Sequence, residues 1–197
     1  MQVTNSIALR RLAQALIGLS LAVTSVPSAF AAELTEQQIV SGLQGLSTKA
    51  AAIDTAVLAQ QALAHVGKPP GTPISPDWSA LAKLPQLAVD VNFEYDSIAI
   101  VPESYRALGL IADALHHPLL LGSKFLIVGH TDSTGSAKYN IALSQKRADA
   151  IAEILSTTFG VPAKQLFTVG VGSELPLDPS KPDTAINRRV QLINIGG

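Results

Sequence analysis

FLIVGHTDSTGSAKYNIALSQKRADAIAEILST, residues 125–157, is the stretch that decides the fold. Phe125-Leu126-Ile127-Val128 is a short apolar run ending at Gly129, as expected of a strand buried in the middle of a sheet. A polar turn, His130-Thr131-Asp132-Ser133-Thr134-Gly135, follows it. From Ala137 to Thr157 the pattern is helical, and it closes near Gly160. Working outward, Leu87, Val89, Val91 and Phe93 alternate with other residues at the period of a strand. Pro102 and Glu103 suit the first turn of a helix. Leu108, Ile111, Ala112 and Leu115 form that helix's buried stripe, and Pro118 stops it. Leu166–Val171 reads as a third strand and Val190–Ile195 as a fourth. This βαβαββ order predicts an α/β (α+β) sandwich: a mixed sheet with helices packed on one face.

Upstream, the chain divides by composition. Met1–Ala31 reads as a secretory signal: Arg10 and Arg11, an apolar stretch from Leu12 to Val26, Pro27, then the small residues Ala29-Phe30-Ala31. The apolar run is about fifteen residues, short of the roughly twenty that span a bilayer. Residues 32–66 read as an alanine-rich helical segment, with Thr35 and Gln38 as a capping box. That segment packs or tethers; the alternative is a helix that docks on an envelope protein. Residues 67–80 carry Pro69, Pro70, Pro73 and Pro76 and read as a semi-rigid linker, with Trp78 packing it onto the domain at 81–197.

The whole sequence of 197 residues carries 14 basic and 15 acidic side chains, a net charge of −1. Proteins that track phosphate backbones carry a clear basic excess, so nucleic acid is not an expected partner. The absence of cysteine excludes disulfides, thiol nucleophiles, thiolate metal sites and an N-terminal lipid anchor. His130 with Asp132, and His116-His117, lack metal-site spacing. Gly170-x-Gly172 lacks the context of a dinucleotide loop and reads as a tight strand exit. Neither a metal nor a cofactor is expected, and no group is arranged for catalysis.

The long helix holds a charge in an unexpected place. At 100° per residue, Leu143, Ile151 and Ile154 lie within about 80° of one another, and Arg147 and Asn140 fall in the same arc. Two readings stand. Arg147 snorkels from the rim of the core or meets a structural carboxylate; or its guanidinium is held at the edge of the core to fork onto a ligand carboxylate. Asp132, leaving a central strand end, is placed to enter the same crevice. An acid beside a base, with an amide between, matches a ligand bearing an ammonium and a carboxylate on one carbon.

Gly129-His130-Thr131-Asp132, Tyr139-Asn140-x-x-Leu143-Ser144-x-x-Arg147-Ala148 and Asn187-Arg188-Arg189-Val190, with the leading Val91-Asn92-Phe93-Glu94-Tyr95-Asp96-Ser97, resemble the OmpA-like peptidoglycan-binding domain. The likeness covers about Leu87 to Ile195. It implies that the ligand is meso-diaminopimelate of the peptidoglycan stem, clasped by Asp132 and Arg147. Thr131, Asn140 and Arg188 would lie beside them, and the backbone near Glu94 would close the pocket. Glu94-Tyr95 departs from the aspartate and phenylalanine often found there. The resemblance further implies a non-catalytic, free-standing protein of a Gram-negative periplasm, associated with the cell wall, with outer-membrane association as a further option. The alternative is an envelope-complex linker, or a flagellar-stator-like protein that keeps its first segment as an uncleaved membrane anchor.

Overall fold

Thr35 caps the first helix: its hydroxyl accepts the Gln38 N–H at 3.3 Å while Gln38 Oε1 accepts the Thr35 N–H at 2.9 Å, the reciprocal pair expected there. The computed structural model describes residues 34–45, 54–68, 76–94 and 97–197. The expected signal, Met1–Ala31, lies outside them. Helix α1 (Glu36–Leu43) ends at Gln44, and α2 (Thr55–His65) starts afresh from Asp54, whose carboxylate accepts the Ala56 and Val57 N–H groups. The single helix expected over 32–66 is therefore two. A third, α3 (Pro76–Leu81), starts within the stretch expected to be linker.

Strands β1 (Gln86–Val89), β2 (Lys124–His130), β3 (Leu166–Gly172) and β4 (Val190–Gly196) form one sheet in the order β1-β4-β2-β3. β2 and β3 run parallel; β4 is antiparallel to both β1 and β2. Helix α4 (Tyr105–His116) joins β1 to β2, and α5 (Ala137–Thr157) joins β2 to β3. The βαβαββ order and the mixed sheet are those expected. β1 stops at Val89 rather than continuing to Phe93. Val91 is still buried, and Phe93 makes an isolated antiparallel bridge with Ile100.

Alternation along β2 divides the core. Phe125 and Ile127 join Leu108, Ile111, Ile151 and Leu155 beneath α1, α4 and α5. Leu126 and Val128 point to the other face, where Leu58 and Ala62 of α2 and Trp78 and Leu81 of α3 cover them. Burying a side chain of this size contributes about 1.5–3 kcal/mol, so both faces matter to stability. This corrects one expectation. Helices lie on both faces of the sheet, not one. The linker expected between 67 and 80 also contributes packing residues, Trp78 among them, and Leu34–Gly197 is one compact unit. Trp78 packs onto the domain as expected.

Helix α5 presses against the strand ends. A Cβ on Gly129 would stand 2.2 Å from the Ser144 carbonyl oxygen, and one on Gly170 would stand 2.1 Å from the Gln145 nitrogen. Only glycine permits that approach. At this range the helix's own side chains satisfy the edge of β3. Gly170 N–H donates to Gln145 Oε1 at 2.7 Å, and Gly172 N–H donates to Ser144 Oγ at 2.8 Å. Gly170 is thus needed for close packing rather than for a strand exit; Gly172, at φ +57, does turn the chain.

Candidate functional site

The loop leaving β2 carries Asp132. Its Oδ1 accepts the Thr134 N–H at 2.9 Å, and its Oδ2 accepts Arg188 Nη1 at 2.7 Å. Burial works to raise the Asp132 pKa, but the hydrogen bonds from Arg188 and Thr134 outweigh it and hold it below the usual carboxylate value. The side chain is therefore an anion. It is 13% exposed, against 50% for Arg188.

Two further contacts fix that loop. Ser136 caps α5 by accepting the Tyr139 N–H, and Asn140, one turn in, donates Nδ2 to the Asp132 carbonyl at 3.2 Å and to the Thr134 carbonyl at 3.0 Å. Asn140 is 2% exposed and both its donors are spent on the loop. The expectation that its amide lies between acid and base facing a ligand is corrected: it braces Asp132 from behind. Thr131 is corrected likewise. Its side chain is 4% exposed and its N–H donates to the Gly172 carbonyl, so it is packed away from solvent.

Arg147 lies on the next turns of α5, at the rim of the core. The stripe that α5 buries runs through Ile141, Ser144, Ala148, Ile151 and Leu155, with Leu143 and Ile154 only half-buried. Arg147 Nε donates to the Ser97 carbonyl at 3.2 Å, and its guanidinium carbon lies 4.7 Å from the Phe93 ring centroid. The loop after β1 therefore meets Arg147 through Ser97 and Phe93. The backbone near Glu94, expected to close the pocket, reaches Arg147 at the Ser97 carbonyl; the Glu94 side chain itself is exposed, and its backbone pairs with Ala99 and Ser97 inside the loop.

Arg188 arrives from the other side. Buried Asn187 accepts the Asp178 N–H at 3.0 Å and donates to the Lys181 carbonyl at 2.9 Å, which shapes the loop before β4. Ser133 N–H donates to the Pro182 carbonyl at 2.9 Å and joins that loop to the one carrying Asp132. Phe93, Arg147 and Arg188 consequently line one narrow cleft, together with Gly129 and His130. Of the residues expected at the site, Arg188 pairs with Asp132 and lines the cleft with Arg147; Asn140 and Thr131 are buried, and Glu94 is not among the residues that line it. Phe93, Ser97 and Asn187 were not anticipated there. The signal for Phe93 was its alternation with Val91, which turns both side chains to one face.

His130 supports the cleft from within. Its Nε2 donates to Gln191 Oε1 at 3.2 Å, and Gln191 in turn donates to Gln86. Burial, then the nearby Arg189 cation, pushes its pKa down to about 3, so the imidazole is neutral. Arg189 donates to the Leu175 carbonyl at 3.2 Å, and burial lowers its pKa. The cleft thus offers three guanidinium groups, those of Arg147, Arg188 and Arg189, and an aromatic wall, with the Asp132 carboxylate paired to Arg188 beside it.

Residues 92–189 match the model of the OmpA family. A solved structure, the peptidoglycan-associated lipoprotein from Burkholderia pseudomallei, is 34% identical and is covered over 98% of its chain by 64% of this one, at a TM-score of 0.44. The chain belongs to the OmpA family. Among curated relatives of this OmpA family member, the peptidoglycan-associated lipoprotein of Legionella pneumophila is 38% identical over 104 residues, covering 51% of this chain and 57% of that protein. Outer membrane porin F of Pseudomonas aeruginosa is 32% identical over 115 residues, covering 57% of this chain and 32% of that protein. The chain therefore spans less than two thirds of the length of either. The matched region takes in Phe93, Asp132, Arg147 and Arg188 together.

Proposed function

We propose that this chain binds peptidoglycan non-covalently, through the meso-diaminopimelate of the peptide stem, and so anchors the cell envelope to its wall from the periplasm. The observation that carries this reading is the Asp132–Arg188 ion pair at the strand ends, beside the cleft that Arg188 shares with Arg147 and the Phe93 ring. Asp132 takes the ligand's ammonium, and the guanidinium groups take the carboxylate on the same carbon. Each charged hydrogen bond contributes about 1.5–3 kcal/mol, so two or three support micromolar binding before entropy costs. Family membership supports the reading, as do the names of relatives called peptidoglycan-associated lipoproteins. The role is to hold, not to cut.

Co-sedimentation of the full chain with purified diaminopimelate-type sacculi tests it. The wild type pellets and releases no soluble fragments. Asp132→Ala and Arg147→Ala stay in the supernatant while keeping their circular dichroism spectra. If both variants still pellet with the sacculi, the assignment is wrong.

A further inference from the structure

We propose that Arg188 is a built-in competitor for the ammonium position on Asp132, and that this competition makes the site select a head group carrying both charges over a simple amine. The inference rests on the reading above and names the residue that sets its specificity.

Asp132 reaches the site already paired. Thr134 N–H occupies Oδ1 and Arg188 Nη1 occupies Oδ2, with the loop clamped behind by Asn140. The carboxylate cannot retreat. Arg188 can, because its side chain is half exposed, and among the described residues its one side-chain hydrogen bond is to Asp132. Arg147 is held differently, by the Ser97 carbonyl and the Phe93 ring. Arg147 and Arg188 are therefore unequal: the first is fixed against the wall and the second is exchangeable.

The exchange has a direction. An amine without a carboxylate must displace the guanidinium and leave it unpaired in water, trading one ion pair for another with little net gain. A group with a carboxylate on the same carbon gives Arg188 a new partner as it takes the old one, so two pairs replace one. Discrimination arises from the cost imposed on the wrong ligand as much as from contacts with the right one.

Titration calorimetry with two soluble tripeptides separates these cases: L-Ala-γ-D-Glu-meso-diaminopimelate and L-Ala-γ-D-Glu-L-Lys, which differ by one carboxylate. The wild-type chain prefers the first by about tenfold or more. In Arg188→Gln the lysine peptide binds several-fold tighter than to wild type, the diaminopimelate peptide binds more weakly, and the preference falls by about tenfold. Wild-type preference retained in Arg188→Gln, or a lysine peptide weakened in parallel with the other, overturns the role of Arg188 while leaving peptidoglycan binding intact. A wild-type chain that binds neither tripeptide overturns the functional reading, and this inference with it.

Discussion

The carbonyl oxygen of Ser144 stands 2.2 Å from where the Cβ of any side chain on Gly129 would have to lie. The neighbour is helix backbone, so it cannot rotate away. Gly129→Ala must push α5 off the sheet, at a cost of about 2–3 kcal/mol. A urea melt reads this as a lower midpoint, and binding to sacculi weakens because α5 carries Arg147. Gly109, within α4, makes the opposite prediction. A Cβ there meets the Phe159 ring at 3.5 Å, an ordinary contact. Gly109→Ala should stabilise by about 0.5–1 kcal/mol through helix propensity; a destabilised variant would contradict the packing described.

Arg147 and Phe93 act as a pair. Lysine at 147 keeps the charge but loses the Nε hydrogen bond to Ser97 and the flat stack on the ring. Arg147→Lys is therefore expected to lose most binding to sacculi. A double-mutant cycle with Phe93→Leu should return a coupling of about 0.5–1 kcal/mol in stability. A coupling of zero would mean that the ring contact does not hold the guanidinium.

His130 predicts an acid limb. The folded protein keeps it neutral down to about pH 3, while the unfolded chain protonates it near 6.5. Between those values the unfolded state binds more protons, so stability falls as pH drops through that window, by at most about 1.4 kcal/mol per pH unit. Thermal melts of wild type and His130→Gln from pH 7 to pH 4 measure the difference. The variant should lose that part of the slope, and parallel curves would refute the buried neutral imidazole.

His65, at the end of α2, lies 2.9 Å from Glu174 in the loop after β3, with both side chains largely buried. His65→Ala leaves the Glu174 carboxylate without this partner and should cost about 1–3 kcal/mol. Hydrogen exchange locates the loss. Amides of α2 should exchange faster relative to those of α5, because the contact ties α2 to the sheet. Uniform acceleration across both helices would show that α2 is not separately latched.

Much of the architecture was legible along the chain. Local patterns set the order of strands and helices: alternation at Leu87–Phe93, the apolar run at Phe125–Val128, the stop at Pro118 and the turn at Gly160, whose φ is +75. The Thr35–Gln38 cap was legible for the same reason, since a capping box is complete within four residues. Asp132 could be placed at a strand end because a buried strand must surface into a loop. The face of α5 was harder to read. Its buried stripe uses Ser144 and Ala148, small residues that carry little hydrophobic signal but let the helix reach Gly129 and Gly170.

By itself, then, the sequence determined the elements, their order and the family motifs, because periodicity, capping and turn chemistry act over a few residues. Tertiary structure decided that α2 and α3 cover the second face of the sheet, since Leu58 and Ala62 take on meaning only against Val169 and Ile193 far along the chain. It also decided which arginine meets Asp132. Fifty-six positions separate Arg188 from that carboxylate. What brings them within 2.7 Å is the loop that Asn187 shapes and Ser133 ties down, a contact between distant segments with no local pattern to announce it.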